Sequence, residues 1–445
     1  LVPGAPPCMS MSGGLVGLAG RLERRPGLLG AAKLANVVLA MAWGFVVTFV
    51  FVRLLPLSEF RAFLLLVAFA NFTVSAELGI TSIAYSRLRR DRISGEGGFR
   101  PEEVVALFWL MTGLIALGAC LIALGIAAGL ISTSHPGLFI AFYGVSALNL
   151  LAVLAKRVLA ALDHNLWWEG VDFVRRILGV ALLVASLVGL PILDSVLLQL
   201  AISLALLWLG MATIHRSLAM APAQWLAAGQ GGAHVRAHYL ADFGRTGALT
   251  LFDVAAYNAP YFTITAATHD PRPLLLFDFV FKVSRALSAV IRAIIETMLP
   301  RLTRAWFGGA MADFRTGLRR CLALSMGVAL LAALGLLLVG SPLARLIFDG
   351  NLALDMAEIA AMAILLLGLA LICVSVYVQN GLGRFGALVP PSFAFLLGSL
   401  LSVPAAVALG GGLSLAFVSL YAFVHLALGL VHGRMLARLG EERPA

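Results

Sequence analysis

Five charged residues stand inside one apolar stretch of this chain, FDFVFKVSRALSAVIRAIIETMLP: Asp278, Lys282, Arg285, Arg292 and Glu296. At about 100° per residue on a helix they fall within an arc of about 80° and run about 27 Å along the axis. An ionisable group at the middle of a bilayer costs at least about 2.5–3.5 kcal/mol, so such a stripe cannot face lipid. Asp278 with Lys282 and Arg292 with Glu296 are i,i+4 pairs, which leaves Arg285 without an acid on its own helix. Two readings follow. The stripe is either packing glue between helices, or the wall of a water-filled cavity in which Arg285, Arg292 and Lys282 receive an anion. A phosphate suits that set, because an Arg fork donates two parallel hydrogen bonds and a Lys adds a point charge.

The preceding apolar stretch offers a second polar face. Asp253, Tyr257 and Tyr261 are four apart, Asn258 is adjacent, and Pro260 interrupts the hydrogen-bond ladder and bends a helix there. Asp253 has three open roles: partner to Arg285, ligand to a coupling cation, or local partner of a buried hydroxyl. Further back, Glu77 either lines the cavity or pairs with a loop arginine such as Arg87, and Asn36 sits in the first apolar stretch. Trp167 and Trp168 stand where a span leaves the membrane and read as interfacial anchors. The cysteines Cys8, Cys120, Cys321 and Cys373 are scattered, with no metal-ligand spacing. No HExxH, GxSxG or GxxxxGK[ST] pattern occurs, so neither catalysis nor a nucleotide-driven motor is expected, and no cofactor beyond a coupling proton or sodium ion.

The elements that position these residues are transmembrane helices. Of 445 residues, 61% are hydrophobic and 12% charged, with a mean hydropathy of +0.98, against about 25% charged in soluble domains. The net charge of +10 sits in short clusters between apolar runs, which argues against nucleic acid and for membrane loops. Twelve apolar stretches follow one another at 31–55, 61–85, 104–131, 137–161, 171–193, 195–214, 247–267, 275–299, 319–340, 356–380, 385–409 and 412–433. With both termini on the cytoplasmic side, 25 of the 32 basic residues fall on inside connections and only Arg53, Arg61, Arg272 and Arg345 on outside ones. The outside connections are short, which excludes an extracellular catalytic domain. The reading is a tail over 1–30, with an amphipathic segment near Leu15 to Pro26, a six-helix lobe over 31–214, a cytoplasmic linker over 215–246, a second six-helix lobe over 247–433 and a tail over 434–445. The two halves begin alike, and internal repeats with a site at their interface are a common transporter plan.

The stretch from Phe45 to Arg90 carries Arg53, Leu54, Leu55, Glu59 and Phe60 in one turn, then Glu77, Leu78, Gly79 and Ile80. This pattern resembles the start of Wzx-type polysaccharide flippases of the multidrug/oligosaccharidyl-lipid/polysaccharide (MOP) superfamily, with Arg61 where those proteins usually carry glycine. Leu159 to Ala185, Met298 to Trp306 and Asn380 to Leu388 extend the resemblance over nearly the whole chain. It implies an all-α membrane protein of about twelve transmembrane helices, two pseudo-symmetric lobes around a central cavity, in a bacterial inner membrane. It also implies a substrate, undecaprenyl-pyrophosphate-linked oligosaccharide, moved from the inner to the outer leaflet, with polysaccharide polymerase and export machinery as further partners. The stripe would then be the pyrophosphate wall. Where such proteins often carry an Asp near the outer end of the seventh span, this chain has Asn258, Ala259, Pro260 and Tyr261. A MATE-like cation or drug antiporter, a lipid II flippase and a non-transporting membrane scaffold are the competing readings. The first of these prefers an acidic site, and the first span has no Asp or Glu.

Overall fold

Fourteen α-helices make up the computed structural model, which describes residues 26–94, 98–410 and 412–441. The amphipathic segment expected before Pro26 lies mostly outside the described residues. In chain order the helices are α1 (Pro26–Leu54), α2 (Leu57–Ser75), α3 (Ile80–Ser94), α4 (Pro101–Ala127), α5 (Pro136–Ala147), α6 (Asn149–Ala161), α7 (Asn165–Ala185), α8 (Ile192–Ser217), α9 (Ala228–Ala267), α10 (Arg272–Phe307), α11 (Met311–Ile347), α12 (Met356–Gly381), α13 (Phe385–Leu409) and α14 (Leu413–Glu441). Two crossings are broken, α2 with α3 and α5 with α6, so the fourteen helices make twelve crossings. Among the described residues, nine of these are long and apolar enough to cross a membrane on composition alone. The other three, α7, α9 and α10, are as long but carry charges within the span. A charge spoils mean hydropathy without spoiling the helix, provided it faces protein or water rather than lipid.

Several boundaries differ from the sequence reading. The break expected at 193/195 falls at Gly189 to Pro191, where Gly189 takes φ +114 and Pro191 precedes the first turn of α8. The second crossing is interrupted at Ala76 to Gly79. Leu78 (φ 47) and Gly79 (φ 83) are left-handed there, a conformation open to glycine and strained for leucine. The linker over 215–246 is mostly helical: α8 runs on to Ser217, a short 3₁₀ turn spans Pro222–Leu226, and α9 extends the seventh crossing back to Ala228. The last span likewise continues as helix through 434–441.

Helix pairing repeats between the halves. In the first, α1 packs on α7, α5 on α8 and α7 on α8; in the second, α9 packs on α13, α12 on α14 and α13 on α14, which are the corresponding crossings. The contact of α12 on α14 is glycine-made. A Cβ on Gly368 of α12 would stand 2.4 Å from the His425 carbonyl oxygen of α14, and Gly429 faces the Gly368 backbone in return. Apolar faces mark the bilayer side: α11 exposes Leu324, Leu330, Leu331, Leu334, Leu337 and Leu338.

The lobes share an apolar core at one end only. Helix ends alternate between a basic end, where the connections rich in Lys and Arg gather, and a far end, where Arg53, Arg61, Arg272 and Arg345 stand. At the far end a single apolar core runs through both lobes, from Phe51, Phe60 and Phe63 to Phe277, Phe279 and Phe348. There α2 meets α9 through the Phe72 and Phe262 rings (6.0 Å) and through Asn71 donating to Asn258 (3.4 Å). At the basic end the first lobe has a separate core around Leu151, Leu154, Val158 and Trp168. Among the described residues, the element of the second lobe that joins it is the start of α9. Tyr239 donates to the buried Glu103 of α4 (2.7 Å), which also holds Arg87 (3.4 Å) and His234 (3.1 Å). Burial and the adjacent Glu103 carboxylate push the Tyr239 phenol upward, which keeps it a donor. Between these ends α10 leaves Arg285, Arg292 and Glu296 exposed, and the open side that they face is the candidate cleft.

Candidate functional site: a polar cleft wall on the eighth crossing

Helix α10 is shaped by its sequence to stand between lobes. Leu274 to Phe277, Phe279, Leu287, Ile291 and Ile295 are buried against its own lobe. Its exposed side chains, among those described, are Arg285, Arg292, Glu296, Thr297, Arg301 and Arg304, and every one is polar. Among its described residues no large apolar one is exposed, in contrast to α11. A helix exposing only polar groups over that length faces water or a polar partner, not hydrocarbon.

The five stripe residues divide in two. Toward the far end Asp278 is wholly buried and ion-paired to Lys282, whose side chain is itself only 12% exposed. The remaining lone pairs of that carboxylate accept from the Tyr261 hydroxyl of α9 (2.7 Å) and the Thr48 hydroxyl of α1 (3.2 Å). This pair is therefore satisfied and closed, with one hydrogen bond reaching the opposite lobe, so Lys282 is not free to meet a ligand in this arrangement. Toward the basic end Arg292 and Glu296 form an exposed pair (2.8 Å) of the kind that is easily exchanged for another partner.

Arg285 stands between the two groups. It makes no hydrogen bond and no ion pair within 4.0 Å among the described residues. What holds it is aromatic: its guanidinium lies 5.7 Å from the Tyr257 ring centre and 5.5 Å from that of Phe281. Rings attract the cation without neutralising it or occupying its five donors. Asp253 is exposed on α9, at a cavity inside the second lobe lined by Val376, Phe395, Leu428 and His432, and within electrostatic reach of Arg285. Tyr257 is buried, packed edge-on to Phe395 (5.0 Å). Asn258 is buried too and satisfies its own helix by donating to the Val254 carbonyl (2.8 Å).

Glu77 is not brought to this group. Its carboxylate accepts from the Thr81 hydroxyl and backbone N–H (3.4 Å), capping the first turn of α3 after the left-handed break, while Arg87 sits on Glu103 instead. The ELGI element is thus a helix break with its cap. A cluster that sequence reasoning passed over lies in the first lobe. Glu169 of α7 is buried between Lys156 (2.8 Å) and the Asn36 side-chain amide (2.6 Å), and one turn on, Asp172 holds Arg175 (2.7 Å) and Arg176 (2.9 Å). The signal was four charges within eight residues of an otherwise apolar stretch. Among the described residues, no group of three or more His, Cys, Asp or Glu side chains gathers to hold a metal ion.

Twelve crossings in two repeated lobes around a cleft define a two-lobed membrane fold of the MATE type, and comparison with solved structures agrees. The chain is similar over 95% of its length to a mutant of the Vibrio cholerae MATE transporter VcmN, covering 97% of that chain at 16% identity and TM-score 0.60. An outward-facing conformation of a multidrug resistance MATE family transporter of the MOP superfamily matches over 97% of this chain and 100% of that one, at 12% identity and TM-score 0.63. An inward-facing conformation of such a transporter matches over 91% and 94%, at 12% identity and TM-score 0.59. No family model and no curated protein matches the chain. The shared property is the fold.

Proposed function

We propose that this chain is a flippase for lipid-linked oligosaccharides, moving an undecaprenyl-pyrophosphate-linked glycan between leaflets by alternating access of the cleft. The observation that carries this reading is Arg285: a cation whose donors meet no partner among the described residues, held by two rings, on a polar exposed helix face. A diphosphate would take the Arg285 fork first and draw Arg292 away from Glu296, since both are within one arc of α10. The short far-end connections and open basic end suit a headgroup that enters the cleft while its lipid tail stays in the bilayer. With the basic end cytoplasmic, as the distribution of Lys and Arg implies, the cleft as it stands is loaded from the inner leaflet. A proton or sodium gradient is the expected driving force, with Asp253 the acid placed to sense it.

A second reading, a MATE-like cation antiporter, draws on Asp253, an exposed acid within electrostatic reach of Arg285. Reconstitution separates the two. Liposomes containing the protein are assayed for transbilayer movement of a labelled undecaprenyl-pyrophosphate oligosaccharide and, in parallel, for accumulation of a lipophilic cation. Glycolipid movement supports the flippase. Cation accumulation without it supports the antiporter, and neither, with folded protein, leaves a scaffold.

A further inference from the structure

The RLL-x-x-x-EF turn that marks this chain has no part in the cleft, yet both of its arginines reach across to the other lobe. Arg53, in the last turn of α1, donates to the carbonyl oxygens of Leu346 (2.7 Å) and Ile347 (3.3 Å) and pairs with Asp349 (3.2 Å). Leu346 and Ile347 are the last two residues of α11, where helix carbonyls have no partner within the helix. Arg61, in the first turns of α2, donates to the carbonyls of Thr268 (2.7 Å) and His269, the two residues that follow α9. Arg53 therefore caps the C-terminus of α11, and Arg61 binds the chain just past the C-terminus of α9, both at the negative end of a helix of the opposite lobe.

The two caps differ in how they are held. Arg53 is fixed by its own lobe, lying over the Phe49 ring at 3.6 Å and donating back to the Phe49 carbonyl (2.8 Å). Arg61 has no such second anchor among the described residues, so its bonds exist only while the lobes touch. Beneath them the Thr48 hydrogen bond to Asp278 and the Phe72 and Phe262 contact continue the seam inward. Arg345 stands at the same end and makes no bond across it among the described residues.

We infer that Arg53 and Arg61 are a paired electrostatic latch that holds the far end of the cleft shut, so that this chain rests with the cleft open to the basic side. Opening the far end breaks all the bonds to the four carbonyls and leaves the C-termini of α9 and α11 to water. Arg53 is the fixed jaw and Arg61 the releasing one. The latch regulates the cleft of the proposed flippase and rests on that cleft alternating.

The test is a distance between labels at the far end. Ser58 of α2 and Asp270, in the turn before α10, are both exposed and stand on opposite lobes. Spin labels are placed at cysteines introduced there, with Cys8, Cys120, Cys321 and Cys373 replaced by alanine, in the full chain in lipid nanodiscs. The parent should show mainly the short distance. Arg61→Gly should raise the population of the long distance about three- to tenfold, Arg53→Gln by a similar factor, and the double variant by about the product, as expected for charged caps on two helix ends. Arg345→Gln should leave the distribution unchanged. Unchanged populations in Arg61→Gly and Arg53→Gln, while the parent itself samples both distances, would overturn the latch and leave alternating access intact. A single short distance in every variant, with or without glycolipid, would overturn the latch together with the alternating cleft. An equal shift in Arg345→Gln would reduce the effect to general surface charge and overturn the latch.

Discussion

Arg285→Ala removes a cleft-wall cation that has no hydrogen bond or ion pair among the described residues, and its effect follows from the geometry. A guanidinium gripping a phosphate makes charge-assisted hydrogen bonds of about 1.5–3 kcal/mol. Direct attraction at about 4 Å would be about 4 kcal/mol at an effective dielectric constant of about 20. Arg285 is exposed, so water and salt screen part of this, and a net loss of about 2–3 kcal/mol is expected, which is about a 30- to 150-fold weaker affinity. Stability should hardly change, because the side chain has no ion pair among the described residues and its contacts with Tyr257 and Phe281 contribute about 0.5–1 kcal/mol each at most. Arg285→Lys keeps the charge and loses the fork, and should recover roughly half of the free energy. The assay is the initial rate of transbilayer movement against glycolipid concentration in proteoliposomes, with thermal denaturation as the control for folding. An Arg285→Ala protein that melts like the parent and moves glycolipid with an apparent affinity within about twofold of it would refute the cavity reading of the stripe.

Asp278→Asn leaves Lys282 buried without a counter-charge and should lower stability by about 3–5 kcal/mol, read as a drop in melting temperature in detergent; adding Lys282→Met should restore most of it. Gly368→Ala drives a methyl against the His425 carbonyl and should destabilise by about 1–3 kcal/mol, whereas Gly327→Ala, with open space around it, should be neutral or slightly stabilising in the same melt. Tyr239→Phe removes a donor from buried Glu103 and should speed amide exchange over 228–240 several-fold. Because the folded state holds the Tyr239 proton above the ordinary phenol value of 10.0, the wild type should lose stability as pH rises past about 10 more steeply than Tyr239→Phe, measured by denaturant unfolding.

Much of the fold was legible because the bilayer imposes a strong rule. A helix must be about 20 residues long to cross, and a charge within it must face away from lipid. That rule yields the twelve crossings and the Asp278 to Glu296 stripe, and the i,i+4 spacing marks both of its ion pairs before any tertiary contact is known. It also explains the errors. A hydropathy pattern ends where apolar residues end, so it missed the helical continuation of α9 through the linker, and it could not see a left-handed turn inside the apolar second crossing.

The candidate site was half legible for a related reason. Sequence spacing reports partners on the same helix, and Arg285 stands out in it because it has none. Partners on other helices leave no such trace. That the Asp278 carboxylate is capped by Tyr261 and Thr48, that Glu77 caps Thr81 instead of meeting Arg87, and that Glu169 is shared by Lys156 and Asn36 depended on which helices came together. The clearest case is Arg53 and Arg61. Apart from Asp349, their partners across the seam are backbone carbonyls of Leu346, Ile347, Thr268 and His269, and every residue of a chain carries a carbonyl. The sequence by itself determined that charges line one face of the eighth crossing; only the packing of two lobes decided which carbonyls end beside which arginines, and so which end of the cleft is closed.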